Sequence, residues 1–304
     1  TCVTFTWMQL CNRLLQMTGN SLYADYMETA IYNALMASLK ADASQIAKYS
    51  PLEGWRHEGE EQCGMHINCC NANGPRAFAM IPQFAYQVQD DCVRVNFYAP
   101  SEAELVLPDK KPVRLKQTTD YPRTDQIEIE VDPAKETAFT IALRIPAWSK
   151  IAVVSVNGQP QDGVLQGAYL PVNRKWKKGD RITVKLDLRA RLVERNQAQA
   201  IVRGPIVLAR DSRFGDGFVD EASVVVSKDG YVELTPVKAP GFAWLAFTAP
   251  MVLGTDLESN RAPKQIHFCD FASAGNTWDK TQRYRVWLPK TLNVMHSPYR
   301  PYNQ

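Results

Sequence analysis

The chain has 304 residues, enough for about two domains by length, and 45% of them are hydrophobic, which supports ordinary buried cores. The net charge of +3 is small and forms no basic block, so neither nucleic acid nor an anionic membrane surface is an expected partner. No apolar run approaches the roughly 20 residues of a membrane helix, and seven cysteines, an odd number with two adjacent, argue against a disulfide framework.

Residues 4–18 set Phe5, Met8, Cys11 and Leu15 at helical spacing, with Trp7, Leu10, Leu14 and Met17 broadening the apolar face. Thr1-Cys2-Val3-Thr4-Phe5 reads as a helix opening whose approach lies outside the chain. Gly19-Asn20 is a stop signal. Ser21 is then expected to cap a second helix running to about Leu39, with Tyr23, Met27, Ala30, Ile31, Ala34 and Leu35 on one face. The pair makes an αα-hairpin. Residues 40–68 show no periodicity. Pro51, Gly54, Gly59, Gly64 and the charged run Glu58-Gly59-Glu60-Glu61 mark a long loop, a kind that is usually functional or disordered. A third helix is expected over about 72–87, with Phe78, Ile81, Phe84, Ala85 and Val88 on its face. Pro75 suits its first turn and Pro82 should kink it.

From Asp90 the pattern changes to strands: 92–99, 103–107, 113–118, 126–131, 138–145, 152–156, 182–186, 191–194 and 200–209. Alternation is clear in Gln126-Ile127-Glu128-Ile129-Glu130-Val131, and Asn157-Gly158 signals a hairpin. Residues 211–220 read as a linker before further strands at 222–226, 231–234, 243–248, 265–270 and 283–288. The expected division is a helical segment 1–88, a β-sandwich 89–211 and a smaller β-sandwich 212–304. Three helices with broad apolar faces are not a domain by themselves and require further helical partners.

The chemistry concentrates in Cys63-Gly64-Met65-His66-Ile67-Asn68-Cys69-Cys70, at the entry to the third helix. Helix N-termini favour anions, and zinc favours thiolates, so Cys69, Cys70 and the distant Cys2 are candidate metal ligands. Buried, inert thiols are the competing reading, and the spacing matches no zinc-finger or ribbon pattern, so the residues alone leave the two readings about even. Cys63 and His66 stand near enough to be extra ligands, although a loop histidine more often serves hydrogen bonding. Cys11, Cys92 and Cys269 fall on core-facing positions. Glu53, Glu58, Glu60 and Glu61 could offer a general acid but read more simply as a solvated loop. No Ser/His/Asp order, phosphate-binding loop or dinucleotide fingerprint occurs.

With these residues in view, the chain resembles glycoside hydrolase family 127, the β-L-arabinofuranosidase type. The likeness is carried by Thr1-Cys2 with its helix, by Tyr23-Ala24-Asp25-Tyr26-Met27-Glu28 with Tyr32-Asn33-Ala34, and by Cys69-Cys70-Asn71-Ala72-Asn73-Gly74-Pro75-Arg76. Arg144-Ile145-Pro146-Ala147-Trp148-Ser149 and Gly204-Pro205-Ile206-Val207-Leu208 extend it through the β region. The resemblance implies a mixed, multidomain fold: the last helices of an (α/α)6 barrel, then two antiparallel β-sandwich domains. It implies a zinc ion on Cys2, Cys69 and Cys70, with Cys69 the nucleophile of a retaining glycosidase and Tyr49 a sugar contact. It places the family's glutamate ligand one position before Thr1 and the acid/base glutamate further upstream, in an N-terminal segment with the remaining barrel helices. This chain alone is then expected to be inactive. The implied partner is a plant cell-wall oligosaccharide or glycan, with the acid sugar aceric acid in pectin an alternative for which Arg56 and Arg76 are candidate carboxylate partners. A non-catalytic carbohydrate-binding or structural module with a closed zinc site is the other alternative. The implied source is bacterial; the periplasm or exterior is the favoured compartment, with the cytoplasm as the alternative.

Overall fold

A computed structural model describes residues 1–61, 64, 68–217, 222–253 and 263–289. The chain forms two compact units: Val3–Ala30 with Pro75–Leu188, and Thr1–Cys2 with Ile31–Gly74 and the residues from Arg189 onward. No helix among the described residues is long and apolar enough to cross a membrane.

In the first unit, helix α1 (Cys2–Thr18) buries Phe5, Met8, Cys11 and Leu15. Of the rest of the expected face, Trp7, Leu10 and Met17 are exposed and Leu14 is half-buried; Val3 is exposed as well. Gly19 ends the helix in the left-handed region (φ 65°) while its N–H bonds to the Leu15 carbonyl at 2.8 Å, a stop that glycine makes without strain. Helix α2 (Leu22–Ala30) follows. Its start is held by Asn20, whose Oδ1 accepts from the Leu22 N–H at 3.0 Å. Ser21, the expected cap, instead donates its hydroxyl to the Gly167 carbonyl at 2.6 Å.

The buried stripe of α2 carries two acids, Asp25 and Glu28, among Ala24 and Met27. Both meet Arg144, which has no exposure. Asp25 pairs with Arg144 Nη1 and accepts from the Ala147 N–H at 2.9 Å. Glu28 Oε1 stands 2.7 Å from Arg144 Nη2 and accepts from the Tyr121 hydroxyl at 2.8 Å. The Tyr23–Glu28 and Arg144–Ser149 phrases are thus the two halves of one buried polar cluster.

Two sheets complete this unit. One has the order Ser101–Leu107, Lys111–Thr119, Gln126–Pro133, Asp180–Leu186, Ala152–Val156, Gln159–Pro160, all antiparallel. Its alternation matches the sequence: Ile127, Ile129 and Val131 are fully buried, and Asn157-Gly158 turns the last hairpin with positive φ at both residues. The other sheet has the order Ala168–Trp176, Thr137–Ile145, Cys92–Val95, Tyr86–Gln89. The pairing of Cys92–Val95 with Thr137–Ile145 is parallel, so the expected purely antiparallel arrangement does not hold there. Ala168–Trp176 is absent from the strands read in the sequence, because Pro171 and the run Asn173-Arg174-Lys175 mask its alternation.

The second unit is organised on an eleven-stranded sheet whose main path is Ala222–Val224, Ala246–Leu253, Lys264–Asp270, Ile206–Asp211, Ala198–Arg203, Ala190–Arg195, Tyr231–Val232. Ile201, Leu208, Phe247 and Phe268 lie in its core. The segment read as one strand at 200–209 is two strands divided at Gly204-Pro205. Strands at 190–211, grouped by the sequence reading with the first sandwich, pair here with later strands; strand patterning identifies a strand but not its partner. The helical path after α2 also belongs to this unit, as a π-helical turn (Ile31–Leu35) and a 3-10 turn (Met36–Ser38). Asn33 in the π turn donates Nδ2 to the Pro205 carbonyl at 2.8 Å and accepts from the Val207 N–H at 2.9 Å. That pair fastens the turn to the Gly204-Pro205 bend.

Candidate sulfur centre

Helix α3 (Cys70–Ala85) begins with Cys70, as α1 begins with Cys2. Both helix N-termini therefore bring their positive dipole ends to one place. There the sulfurs of Cys2, Cys69 and Cys70 all lie within 4.8 Å of one another. Cys2 Sγ is 3.0 Å from Cys69 Sγ and 3.3 Å from Cys70 Sγ. These separations are longer than the ~2.05 Å of a disulfide and shorter than the ~3.8 Å that tetrahedral thiolates about 2.3 Å from a zinc ion would keep, so the sulfurs are unbonded and grouped within the span of one ion. Cys70 is buried, Cys2 half-buried and Cys69 exposed.

Three asparagines build the turn. Asn68 is buried; its Oδ1 accepts from the Cys70 N–H at 2.9 Å and its Nδ2 donates to the Glu58 carbonyl at 3.1 Å. Asn71 Oδ1 accepts in return from the Asn68 N–H at 3.2 Å, the reciprocal logic of a capping box. Asn73 Nδ2 donates to Cys2 Sγ at 3.2 Å. A segment at 46–48 runs beside both starts. Thr1 donates its hydroxyl to the Ala47 carbonyl and its nitrogen to the Lys48 carbonyl, each at 2.6 Å, and Cys70 Sγ stands 3.9 Å from the latter. Gly74 is closely packed, since a Cβ there would lie 2.4 Å from Ile46 Cδ1.

The donor set fits a thiophilic metal ion: three sulfurs from two distant segments, converging without a disulfide, one of them receiving an amide hydrogen bond. Among the described residues, no carboxylate or histidine joins them. Cys63 and His66 lie outside the described residues. The remaining cysteines differ in kind. Burial pushes the Cys11 thiol up to about 11 and raises those of Cys92 and Cys269, so they stay protonated. Cys11 and Cys269 are core residues as expected, while Cys92 is half-buried.

Tyr49 is 65% exposed, with Lys48 Nζ 5.6 Å from its ring centre. Arg56, named above as a carboxylate partner, is unavailable to substrate. It is fully buried between the Phe271 and Tyr284 rings and donates to the Phe271 and Ala272 carbonyls. Arg76 is exposed and stacks on Phe5. Glu53, Glu58, Glu60 and Glu61 are all exposed, and Glu53 pairs with Arg285 at 3.2 Å. The sequence reading overlooks Asn68, Asn71 and Asn73 as site residues. The available signal is three asparagines within six positions at a helix start, where such side chains cap.

Two family descriptions match the chain: "Beta-L-arabinofuranosidase, GH127 catalytic domain" over residues 1–83 and "Beta-L-arabinofuranosidase, GH127 middle domain" over 92–188. The non-reducing end β-L-arabinofuranosidase of Bifidobacterium longum subsp. longum is 26% identical over 234 residues, which is 68% of this chain and 34% of that protein. The crystal structure of a GH127 β-L-arabinofuranosidase from Geobacillus stearothermophilus T6 shares the fold at TM-score 0.77 and 22% identity, covering 94% of this chain and 49% of that one. A further solved GH127 β-arabinofuranosidase gives TM-score 0.81 at 25% identity, covering 97% and 49%. The chain thus spans about a third of the curated relative and about half of the solved ones.

Proposed function

The chain belongs to glycoside hydrolase family 127, and on that footing we propose that it is part of a retaining β-L-arabinofuranosidase acting on plant cell-wall glycans, with Cys69 as nucleophile. The observation that carries this reading is the convergence of the Cys2, Cys69 and Cys70 sulfurs at two helix N-termini. We assign zinc to these three sulfurs; when bound, it supplies a positive charge that keeps thiols as thiolates near neutral pH. Cys69 being exposed while Cys70 is buried supports a centre that opens toward a substrate over a closed structural one.

The chain's own residues then divide the work. Cys69 Sγ attacks the anomeric carbon, forming a C–S bond as the glycosidic C–O bond breaks. The departing oxygen takes a proton from a carboxyl group, which we assign to a segment outside residues 1–304. Water attacks the same carbon in the second step, giving its proton to that carboxylate and releasing the Cys69 sulfur, so configuration is retained. Asn68 and Asn71 hold the turn that aims Cys69, and Asn73 holds Cys2. Tyr49 serves as a sugar contact.

The same outside segment is assigned the helices that would cover the apolar face of α1 left exposed at Val3, Trp7, Leu10 and Met17. The test is Cys69→Ser in the full-length protein, assayed on an aryl β-L-arabinofuranoside. Turnover should fall by at least about a thousandfold, and a serine variant that kept wild-type turnover would exclude the nucleophile assignment.

A further inference from the structure

We propose that the loop at 48–58 and the strand beside it form a second glycan subsite. In it Trp55 stacks on a sugar unit beyond the one cleaved, and Glu53, Arg285 and Arg283 take that unit's hydroxyls; the proposal rests on the glycosidase reading above.

The loop is closed at its neck, where the Lys48 N–H donates to the Glu58 carbonyl at 2.8 Å. Compact loops of roughly 6–16 residues with joined ends are frequently functional. This one is anchored along its length. Glu53–Gly54 pairs as a strand with Tyr284–Arg285. The Val286 N–H bonds to the Leu52 carbonyl at 2.8 Å, and the Tyr284 hydroxyl to the Pro51 carbonyl at 2.7 Å. Arg56 is inserted between the Phe271 and Tyr284 rings.

A loop so anchored has the means to bury its apolar side chains, yet Tyr49, Leu52 and Trp55 stay exposed. Each such residue forgoes about 25 cal/mol for every Å² left in water. A preorganised exposed aromatic is what a sugar subsite requires, because the ring offers its face with little further loss of conformational freedom on binding.

The polar half of the subsite is beside it. The Arg283 guanidinium lies over one face of the Trp55 ring, 4.6 Å from its centre, so a sugar would take the other face, and the Arg283 backbone is fixed by hydrogen bonds in both directions with Ser212, at 2.9 Å each. Glu53, Gly54, Arg283, Tyr284 and Arg285 line one groove. The Glu53 carboxylate and Arg285 guanidinium, 3.2 Å apart, offer an acceptor beside donors, which complements adjacent sugar hydroxyls. The Glu53–Arg285 pair and Arg283 together supply donors around one acceptor, the arrangement that neighbouring hydroxyls of a sugar satisfy. The neck joins the subsite to the sulfur centre: Lys48 O accepts from Thr1 and Glu58 O accepts from Asn68.

The experiment uses the full-length enzyme with two probes, an aryl β-L-arabinofuranoside carrying one sugar and a β-L-arabinofuranosyl trisaccharide. Trp55→Ala should lower the ratio of trisaccharide to aryl kcat/KM about tenfold, the loss of roughly one stacking contact, while Trp55→Phe should retain most of it. Calorimetry in the Cys69→Ser background should show trisaccharide affinity weakened about tenfold by Trp55→Ala and also weakened by Arg283→Ala. An unchanged ratio, or an unchanged affinity in that background, overturns the subsite. Turnover surviving in Cys69→Ser would overturn the nucleophile instead, and the affinity comparison would still decide the subsite.

Discussion

Asn73 donates its side-chain amide to the sulfur of Cys2, 71 positions away in sequence, at 3.2 Å. A sulfur that accepts such a bond is both oriented and relieved of negative charge, as outer hydrogen bonds do for metal ligands generally. Asn73→Ala should weaken metal binding by about tenfold or more, read as chelator competition against added zinc or as the thiolate charge-transfer band of the cadmium form. Asn73→Asp, with an acceptor facing an acceptor, should weaken it further. Equal affinity in all three proteins would mean that Asn73 only packs.

Gly74 tests how the same helix start is seated. Its missing Cβ would collide with Ile46 at 2.4 Å from Cδ1 and 2.9 Å from Cγ2. Gly74→Ala should cost about 1–3 kcal/mol, as overpacking does, despite the better helix propensity of alanine. Ile46→Ala removes the colliding atoms, so the double variant should recover stability relative to Gly74→Ala. Thermal unfolding of the four proteins measures this as a coupling energy, and strict additivity would place the clash elsewhere.

The start of α3 also shows what was legible in the sequence and what was not. Helical periodicity and the glycine stop identify α1, and the cysteine pair stands out beside its helix. Which cysteines converge is not a local property: Cys2 and Cys70 are brought together by segments on either side of a long aperiodic loop. Arg56 illustrates the opposite failure. A lone arginine in a loop reads as a candidate for an anionic ligand, but its charge is spent inside the β unit on two backbone carbonyls. Ala168–Trp176 was hidden because its outward face is Pro171, Asn173 and Lys175, so the inward Leu170, Val172 and Trp176 lack the usual frame. Nothing local to α2 marks the partner of Asp25 and Glu28, because Arg144 lies far along the chain.

Arg56 yields the third prediction. It is buried, with its guanidinium 4.8 Å and 4.9 Å from two aromatic ring centres. Burial holds its pKa below the ordinary arginine value, so it is retained at a cost in desolvation that the carbonyls offset. Arg56→Lys keeps a charge but loses the planar stacking and the forked donors. Both Arg56→Lys and Arg56→Met should destabilise the protein, the former by about 2–4 kcal/mol because an ammonium cannot reach both carbonyls without being left partly unpaired. Limited proteolysis should then cut within 48–58 first, and cleavage elsewhere would contradict its anchoring role.

The last prediction concerns Glu28 and pH. Its carboxyl is raised above the ordinary 4.5, first by burial, against the pull of the neighbouring Arg144. Arg144 stays charged, because Asp25 and Glu28 both face it. A carboxyl whose folded pKa lies above its unfolded one binds its proton more tightly in the native state. Its contribution to stability is therefore full below about pH 4.5 and is lost as pH rises through the folded value. Glu28→Gln cannot ionise and should escape that loss, while its amide oxygen still accepts from Tyr121. The stability difference, wild type minus Glu28→Gln, should accordingly fall as pH is raised above about 4.5 and level off once Glu28 has ionised, measured by denaturant titration at each pH. Arg144→Met should be destabilising by about 3–5 kcal/mol, since it removes the charge partner shared by two buried acidic side chains. A Glu28→Gln difference that instead grew with pH would show that Glu28 is stabilised as an anion by Arg144, and that the pair, rather than burial, governs its proton.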